Sequence, residues 1–523
     1  MDSEDKEKII ETIGGALSRP DDRAKPFYVT TPIYYVNDKP HIGHAYTTIV
    51  GDVVARYYRM LGHEVAYVTG TDENSQKSVE AAEKVDRADD VQGYLDEMSG
   101  IWAKTWDDLD ITNTDFIRTT EERHLKGVEK FWNVVESQGD IYKGTYIGWY
   151  CVGCEAFQKE SDLEDGKCPI HKKAVKKIEE ENYFFKLTKY RDALLAYINA
   201  RPEFISPNSR KHEIINYIKD HMDDISISRH NAEVGIPVPG DDEHKIYVWF
   251  DALINYMTAV GYGTDDDKFA KYWPADLHLV GKDIIKFHCA LWPAMLMAAG
   301  VPLPRRVYAH GFFTIDGTKM SKSLGNVIDP VALAGEVGND SLRYFLLREI
   351  SFGEDGDFSS QRLKDRYQTD LGNELGNLCH RVLSMTEKYC DGKIPEIPAE
   401  HDEIPWEKYH EAMSDLKFGR LLDEVWKVIR AGNKFIEDEK PWAVAKENPE
   451  RAQQILAHLL ETLRQVAWML LPIMPHISEG LLQQLGLDVD QELKRDFDEA
   501  TDWGGMPAGT VVAKADPLFP RLD

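Results

Sequence analysis

The sequence predicts an α/β protein: a Rossmann-like doubly wound parallel sheet, split by an inserted subdomain and followed by an all-α domain. Three observations carry that reading. Residues 27–69 run strand, turn, helix, strand, which is the βαβ opening of a parallel sheet. Strand-like apolar runs stop near residue 142 and resume at 246–250, 277–280 and 307–313, so the sheet is interrupted. From residue 329 to 486 apolar residues recur at three- and four-residue spacing, as at Leu421, Leu422, Val425, Trp426, Val428 and Ile429, the period of an amphipathic helix.

Residues 1–24 mix both charges around a short apolar run and lack the core of a signal peptide, so they are expected to form a flexible N-terminal extension. Residues 25–141 are the first half of the core: a strand at 27–36, a turn at 37–40, a helix at 41–61, a strand at 64–69, then charge-rich helical text to Gly139. The insertion, residues 142–245, is marked by a shift to cysteines, paired lysines and scattered prolines. Residues 246–328 complete the core, 329–385 link it onward, and 386–523 form the helical domain. A chain of 523 residues at roughly 150 per domain agrees with about three domains.

Composition narrows the function. No apolar run reaches the roughly 18 residues of a membrane span. Six cysteines in so long a chain, three of them between residues 151 and 168, fit a reducing cytoplasm and a metal site better than a disulfide framework. Against 62 Lys and Arg stand 90 Asp and Glu, and the net charge of −28 taken alone argues against a nucleic-acid partner.

The motifs argue otherwise. Asn37 to His44 is a strand-to-helix turn with His41 and His44 on one helical face and Gly43 between them. The unsatisfied N–H groups and positive dipole end of a helix start attract phosphate, and Gly43 lets a nucleotide approach the backbone. The stretch 316–326 follows a strand and carries Lys319 and Lys322 among small residues. Two lysines so placed can close over a polyphosphate and neutralise charge developing on a leaving pyrophosphate. Cys151-x-x-Cys154 and Cys168-x-x-His171 offer three thiolates and an imidazole, the tetrahedral set of a structural zinc site with no open position. Cys289, Cys379 and Cys390 lie in apolar helical text and read as packed thiols.

His41-Ile42-Gly43-His44 and Lys319-Met320-Ser321-Lys322-Ser323 resemble the HIGH and KMSKS signatures of class I aminoacyl-tRNA synthetases, in order and on either side of an insertion. Tyr247 to Ala252, Gly281 to Ile284 with Phe287-His288, and Asn433 to Phe435 leading to Lys440-Pro441-Trp442 make residues 25–486 similar to the methionyl-tRNA synthetase family. The resemblance implies ligation of L-methionine to tRNA(Met) through a methionyl-adenylate, with ATP accompanied by magnesium and with one structural zinc in the insertion. It implies catalytic roles for His41, His44, Lys319 and Lys322, and ATP contacts at Asn37, Gly43, Gly281, Asp283 and Lys322. The methionine pocket it implies comprises Ile33, Tyr35, Asp72, Trp249, Ala252, Leu253, Tyr256, Ile284, His288 and Trp292, with Asp72 on the substrate ammonium. It assigns the CAU anticodon to Asn377, Arg381 and Trp442 of the helical domain.

Spacing alone puts Asn377 and Arg381 one helical turn apart, gives Trp442 a face on which an unpaired base can stack, and reads Trp249, Tyr256 and Trp292 equally as core aromatics. After Asp72-Glu73 the family text continues His-Gly where this chain has Asn74-Ser75, so the geometry behind Asp72 is expected to differ. Synthetases for leucine, isoleucine or valine carry a large editing insertion, because a pocket separates one methylene by only about 1–3 kcal/mol; residues 142–245 are too few for one. A cysteine-specific enzyme is expected to hold zinc in its amino-acid pocket, and a scaffold built on an inactive core has no need of the two histidines and two lysines. A monomer is expected. With so acidic a surface, tRNA binding should rest on a few placed contacts and on base stacking.

Overall fold

The structure, a computed structural model, describes residues 25–151, 156–158, 163–169, 172–315, 317–319, 327–399, 403–513 and 516–522. Internal contacts divide the chain into two compact units, residues 1–40 with 65–310, and residues 41–64 with 311–523.

The first unit begins with β1 (Phe27–Tyr35); helix α1 (Ile42–Met60), a part of the second unit, separates it in the chain from β2 (Val65–Asp72). Next come α2 (Gln76–Lys84), α3 (Val91–Asp108), β3 (Asp115–Arg118) and α4 (Glu122–Ser137). The inserted stretch supplies β4 (Ile141–Cys151), β5 (Ala156–Gln158), β6 (Lys176–Phe185), β7 (Ile205–Ser206), β8 (Ile225–Ser226), β9 (Ser228–His230), β10 (Pro237–Val238) and β11 (Asp241–Ile246). Helices α5 (Val248–Ala252) and α6 (Asn255–Thr258), strand β12 (Leu277–Gly281), helix α7 (Trp292–Ala299) and strand β13 (Val307–His310) close the unit.

The core is a six-stranded sheet in the order β3-β2-β1-β12-β13-β7, every pairing parallel. Strand β2 is buried along its whole length, as expected where helices cover both faces and apolar residues run on without alternating. The strand order turns at β1 and β12. Their pairing covers only Val29 with Leu277 and Thr30 with His278. Pro32 has no N–H to give, and the register of β1 slips between Thr30 and Ile33. The crevice outside the carboxyl ends of strands at such a switch point is where open parallel sheets bind ligands.

Several elements differ from expectation. Strand β2 runs past residue 69 to Asp72, which places that carboxylate at the strand end. Strands β3 and β7 are too short to stand out in the text, and β7 comes from the inserted stretch yet edges the core sheet. The run 246–250 is not a strand: β11 stops at Ile246 and Val248–Ala252 is helical, because so short an apolar run carries no period that separates the two. The rest of the insertion holds a long antiparallel hairpin of β4 and β6, from Ile141 opposite Phe185 to Tyr150 opposite Lys176, with β5 and β8 at its edges, together with a small sheet of β9, β10 and β11 and helices over Arg191–Ala200 and Asn208–Asp220. One apolar core joins the elements through Tyr28, Phe131, Trp132, Phe185, Phe250 and Trp292.

The second unit contains α1, a small sheet of β14 (Phe313–Ile315), β15 (Thr318–Lys319) and β16 (Gly356–Phe358), and the helices α8 (Asn339–Glu349), α9 (Asn377–Tyr389), α10 (Phe418–Glu439), α11 (Pro441–Val444), α12 (Pro449–Leu470) and α13 (Pro475–Gln484). The stripe Leu421, Leu422, Val425, Trp426 and Ile429 of α10 is buried, and α12 is buried almost all round from Ile455 onward. Inside this unit the carboxylate of Asp52 on α1 meets Arg343 of α8 at 2.6 Å, and both side chains are inaccessible to solvent. The same guanidinium donates to the carbonyls of Ile473 and Pro472 between α12 and α13. Among the described residues no helix is long and apolar enough to cross a membrane.

Candidate active site

His41 is the N-cap of α1, and His44 reciprocates. Gly43 N–H donates to His41 Nδ1 at 3.1 Å, and His41 N–H donates to His44 Nδ1 at 3.3 Å. The two rings stack with centroids 3.7 Å apart. With Nδ1 accepting in each ring, the proton of each neutral imidazole is assigned to Nε2, so the cap fixes both tautomers. A Cβ at Gly43 would lie 3.0 Å from His41 Cε1, so a larger residue there would press on the His41 ring where it folds over the helix start. Ile42 N–H donates to Ile328 O, which ties the helix start to the chain just beyond the lysine loop.

Lys319 lies on β15, its backbone paired with Thr314. The turn before it is held at Gly317, whose φ is +74° and whose N–H donates to Asp357 Oδ1 at 2.7 Å; Thr314 Oγ1 donates to the same oxygen. Lys322 lies outside the described residues.

In the first unit the predicted amino-acid pocket is assembled from three places. At the strand ends, Tyr35 of β1 is the register partner of Asp72 on β2, and Ile33 that of Gly70. Lys77 Nζ sits 4.4 Å from the Tyr35 ring. Around α5 and α6, Trp249 stacks on Phe287 at 4.0 Å and 6° between planes, while Ala252, Leu253 and Tyr256 are buried beside it in sequence. After β12, Ile284 and His288 follow, His288 within a π-helical turn over Phe287–Leu291, a local widening often found at functional sites. Tyr256 Oη is 2.8 Å from His288 Nε2, and His288 Nδ1 is 3.1 Å from Ile284 O. The carbonyl can only accept, so Nδ1 carries the proton and Nε2 accepts from the tyrosine. Trp292 is fully buried, with its ring 6.2 Å from that of Tyr256 and 6.4 Å from that of Phe131. Gly281 and Asp283 are in contact: a Cβ on Gly281 would fall 2.6 Å from Asp283 Oδ1. Asn37 is exposed in the turn after β1.

Burial lowers the pKa of both His41 and His288 from 6.5 to about 4. Each ring is neutral in the fold where the unfolded chain is already taking up a proton. The stability this gives is complete above 6.5 and is lost as the pH falls from 6.5 toward 4. Melting temperatures taken between about pH 7 and about pH 4.5 should therefore fall, more steeply in the native chain than in His288→Asn. A flat profile across that interval is the contrary result.

Sequence reading missed the polar frame behind Asp72. Glu73 is buried and accepts from Arg118 Nε at 2.6 Å and Nη2 at 3.0 Å, from Ser99 Oγ and from Thr120 Oγ1. Ser75 caps α2 through Lys77 N–H, and Asn74 reaches Asp251. The signal was available only as a cluster of polar residues in apolar text. Asn74 also borders a cleft of about 340 Å³ with Tyr150, Arg229, Lys245 and Tyr247, the Arg229 guanidinium lying 4.4 Å from the Tyr247 ring.

In the helical domain α10 ends at Glu439, Lys440 follows in the left-handed region at φ +47°, and Pro441 starts α11, so the chain turns sharply and leaves Trp442 37% exposed. Arg381 lies 5.9 Å from the Trp442 ring and pairs with Glu437 at 2.7 Å. Asn377 is exposed one turn earlier on α9. The neighbouring cations Arg430 and Arg451 each meet a carboxylate, Glu374 and Glu439.

Of the four zinc ligands expected from the sequence, Cys151 ends β4 and Cys168 opens a tight turn in which its N–H donates to Lys173 O and Lys172 N–H donates to its carbonyl. Both cysteines are buried, at 2% and 0% exposure. Buried sulfurs at a strand end and a knuckle-like turn fit a zinc site. Cys154 and His171 lie outside the described residues, and among the described residues no group of three His, Cys, Asp or Glu gathers to hold a metal.

The family model described as tRNA synthetases class I (M) matches residues 27–177 and 158–383, and the anticodon binding domain of methionyl tRNA ligase matches 400–523. The chain is 46% identical to a methionine-tRNA ligase of Thermotoga maritima, over 95% of this chain and 80% of that one, and 46% identical to one of Listeria monocytogenes, over 95% and 78%. Among solved structures it is similar to a Mycobacterium tuberculosis methionyl-tRNA synthetase in complex with methionyl-adenylate, with a TM-score of 0.90 and 39% identity over 95% of this chain and 100% of that one.

Proposed function

We propose a division of labour among the residues of this chain, which belongs to the class I methionyl-tRNA synthetases and joins L-methionine to tRNA in an ATP-dependent reaction. The methionine carboxylate attacks the α-phosphorus of ATP to give methionyl-adenylate and pyrophosphate; the terminal hydroxyl of tRNA then attacks the activated carbonyl, and AMP leaves. Neither step needs a covalent bond to the protein. The work is positioning and stabilisation of charge.

Asp72 takes the substrate ammonium. Trp249, Ala252, Leu253, Tyr256, Ile284, His288, Ile33 and Tyr35 line the pocket for the side chain, with Trp292 beneath. The observation that carries this reading is the neutral Tyr256–His288 pair beside the Trp249 face: rings and uncharged polar groups suit a polarizable thioether and offer no partner to a charged side chain. His41 and His44 each present an Nε2–H donor to the α-phosphate as charge builds on it. Lys319 and Lys322 take the pyrophosphate, and Asn37, Gly43, Gly281 and Asp283 contact ATP, whose triphosphate magnesium accompanies. Asn377, Arg381 and Trp442 read the anticodon. Residues 142–245 act as the zinc-bearing insertion, in which Cys151, Cys154, Cys168 and His171 would hold one zinc; its chemistry there is to cross-link the knuckle. Elemental analysis should find one zinc per chain, and a metal-free preparation with full activity would remove that role. Cys289, Cys379 and Cys390 are buried, in no disulfide, and their thiols are shifted away from the reactive thiolate by burial, which fits a cytoplasmic setting.

The test is a pair of assays. Among the twenty amino acids, methionine should best stimulate ATP–pyrophosphate exchange. Trp442→Ala should lower tRNA charging by about 5- to 150-fold, the worth of one stacked base, and leave exchange unchanged. Stronger exchange with another amino acid overturns the specificity; equal damage to both assays makes Trp442 a packing residue.

A further inference from the structure

Strand β2 ends on Asp72, just before the turn to α2, and α5 carries the wall residues Trp249 and Ala252. Asn74 joins the two. Its Nδ2 donates to Asp251 Oδ2 at 2.8 Å and lies 3.4 Å from Thr119 O, two acceptors that fix the orientation of the amide. Its backbone N–H lies 3.3 Å from Asp72 Oδ1. Asp251 is wholly buried, and its other oxygen is 2.8 Å from His124 Nε2, while His124 Nδ1 is 2.9 Å from Thr258 Oγ1 on α6. A carboxylate only accepts, so Asn74 and His124 both donate to Asp251. Folding of the turn is already provided for: Glu73 is anchored by Arg118, Ser99 and Thr120, and α2 is capped by Ser75. What the Asn74–Asp251 bond adds is a fixed separation between Asp72 and α5.

We propose that Asn74 is a positioning residue that sets amino-acid specificity: its bond to Asp251 fixes the distance from the ammonium site at Asp72 to the side-chain wall at Trp249, Ala252 and Leu253, so that an amino acid of methionine's length spans both. The proposal rests on the reading of Asp72 as the ammonium partner. A hydrogen bond to a buried carboxylate is worth enough that its loss should loosen methionine binding by about tenfold or more. The lost gauge should also reduce discrimination against S-methylcysteine and ethionine, one methylene shorter and longer.

The experiment measures ATP–pyrophosphate exchange with methionine, S-methylcysteine and ethionine on the full chain, with a thermal melt for each variant. N74A should raise the KM for methionine about tenfold with kcat nearly unchanged, and narrow the preference over both homologues. N74D is isosteric but sets a carboxylate against Asp251, and should raise KM further. N74D/D251N exchanges donor and acceptor between the two positions and should return KM toward that of the native chain. N74H keeps an N–H donor and should lie nearer the native chain than N74A, a comparison that decides the matter if N74D fails to fold. Equal KM values for the native chain and N74A, or a double variant no better than N74D in a folded state, would overturn the proposal. D72N separates the two readings: an unchanged KM in D72N refutes the ammonium assignment, whereas a raised KM in D72N beside native KM values in the Asn74 variants refutes only the positioning role of Asn74.

Discussion

His44→Ala should lower methionine-dependent ATP–pyrophosphate exchange by about 10²–10³-fold, the usual cost of removing one preorganised donor from developing charge. The KM for methionine should stay near that of the native chain. The substitution also removes the acceptor for His41 N–H and unstacks the His41 ring, so a cap contribution of about 1 kcal/mol goes with it. The two effects can be separated. Gln at this third helical position reaches back to the N-cap N–H as in a capping box, so His44→Gln should recover the melting temperature and not the rate. If His44→Gln restores both, His44 is a capping residue and the transition-state role falls. The measurement is exchange at saturating methionine and ATP, paired with thermal melts.

The second large effect is on stability. Arg343→Met should destabilise the fold by about 3–5 kcal/mol, because it withdraws the Arg343 partner of a fully buried carboxylate and leaves the carbonyls of Ile473 and Pro472 without their donor. Arg56 still meets Asp52 at 2.7 Å, which places the expected loss toward the lower end. Arg343→Lys keeps the charge but lacks the planar fork that serves a carboxylate and two carbonyls at once, so it should recover only part of the loss. Asp52→Leu combined with Arg343→Met should be more stable than Arg343→Met alone, since no buried charge is then left without Arg343. Denaturant unfolding checks all three; a double variant weaker than Arg343→Met would mean that packing, not charge, is at stake.

The sheet was legible because β1, α1 and β2 each carry a clear period and because a parallel sheet reads as continuous apolar text. Strand β7 could not be read, since two residues have no pattern and only its neighbour β13 makes them a strand. Val248–Ala252 was misread for the same reason, as helix and strand look alike over five apolar residues. At the site, types and spacing named His41 and His44 but gave neither the reciprocal cap nor the tautomers. The change from His-Gly to Asn74-Ser75 was visible as a departure, and its meaning was not: it depends on Asp251, 177 residues away. Contacts of that range leave no local trace. The acidic total was also a poor guide to tRNA, because net charge describes the whole surface and says nothing of the field at any one place on it.

The pairing of Asp52 with Arg343 spans 291 positions of the chain. On the ribosome α1 emerges early, and Arg343 and then Pro472 and Ile473 leave the tunnel only much later. Until then Asp52 has Arg56 of the same helix to meet but not Arg343, and an ion pair is costly to bury before its further hydrogen-bond partners are in place, so that side of α1 stays hydrated. Synthesis thus imposes an order: the parallel sheet can consolidate first, while the helix bearing the two histidines settles only after the helical domain has been made. A nascent chain stalled before residue 343 should therefore resist protease within 65–310 and be cut within 41–64.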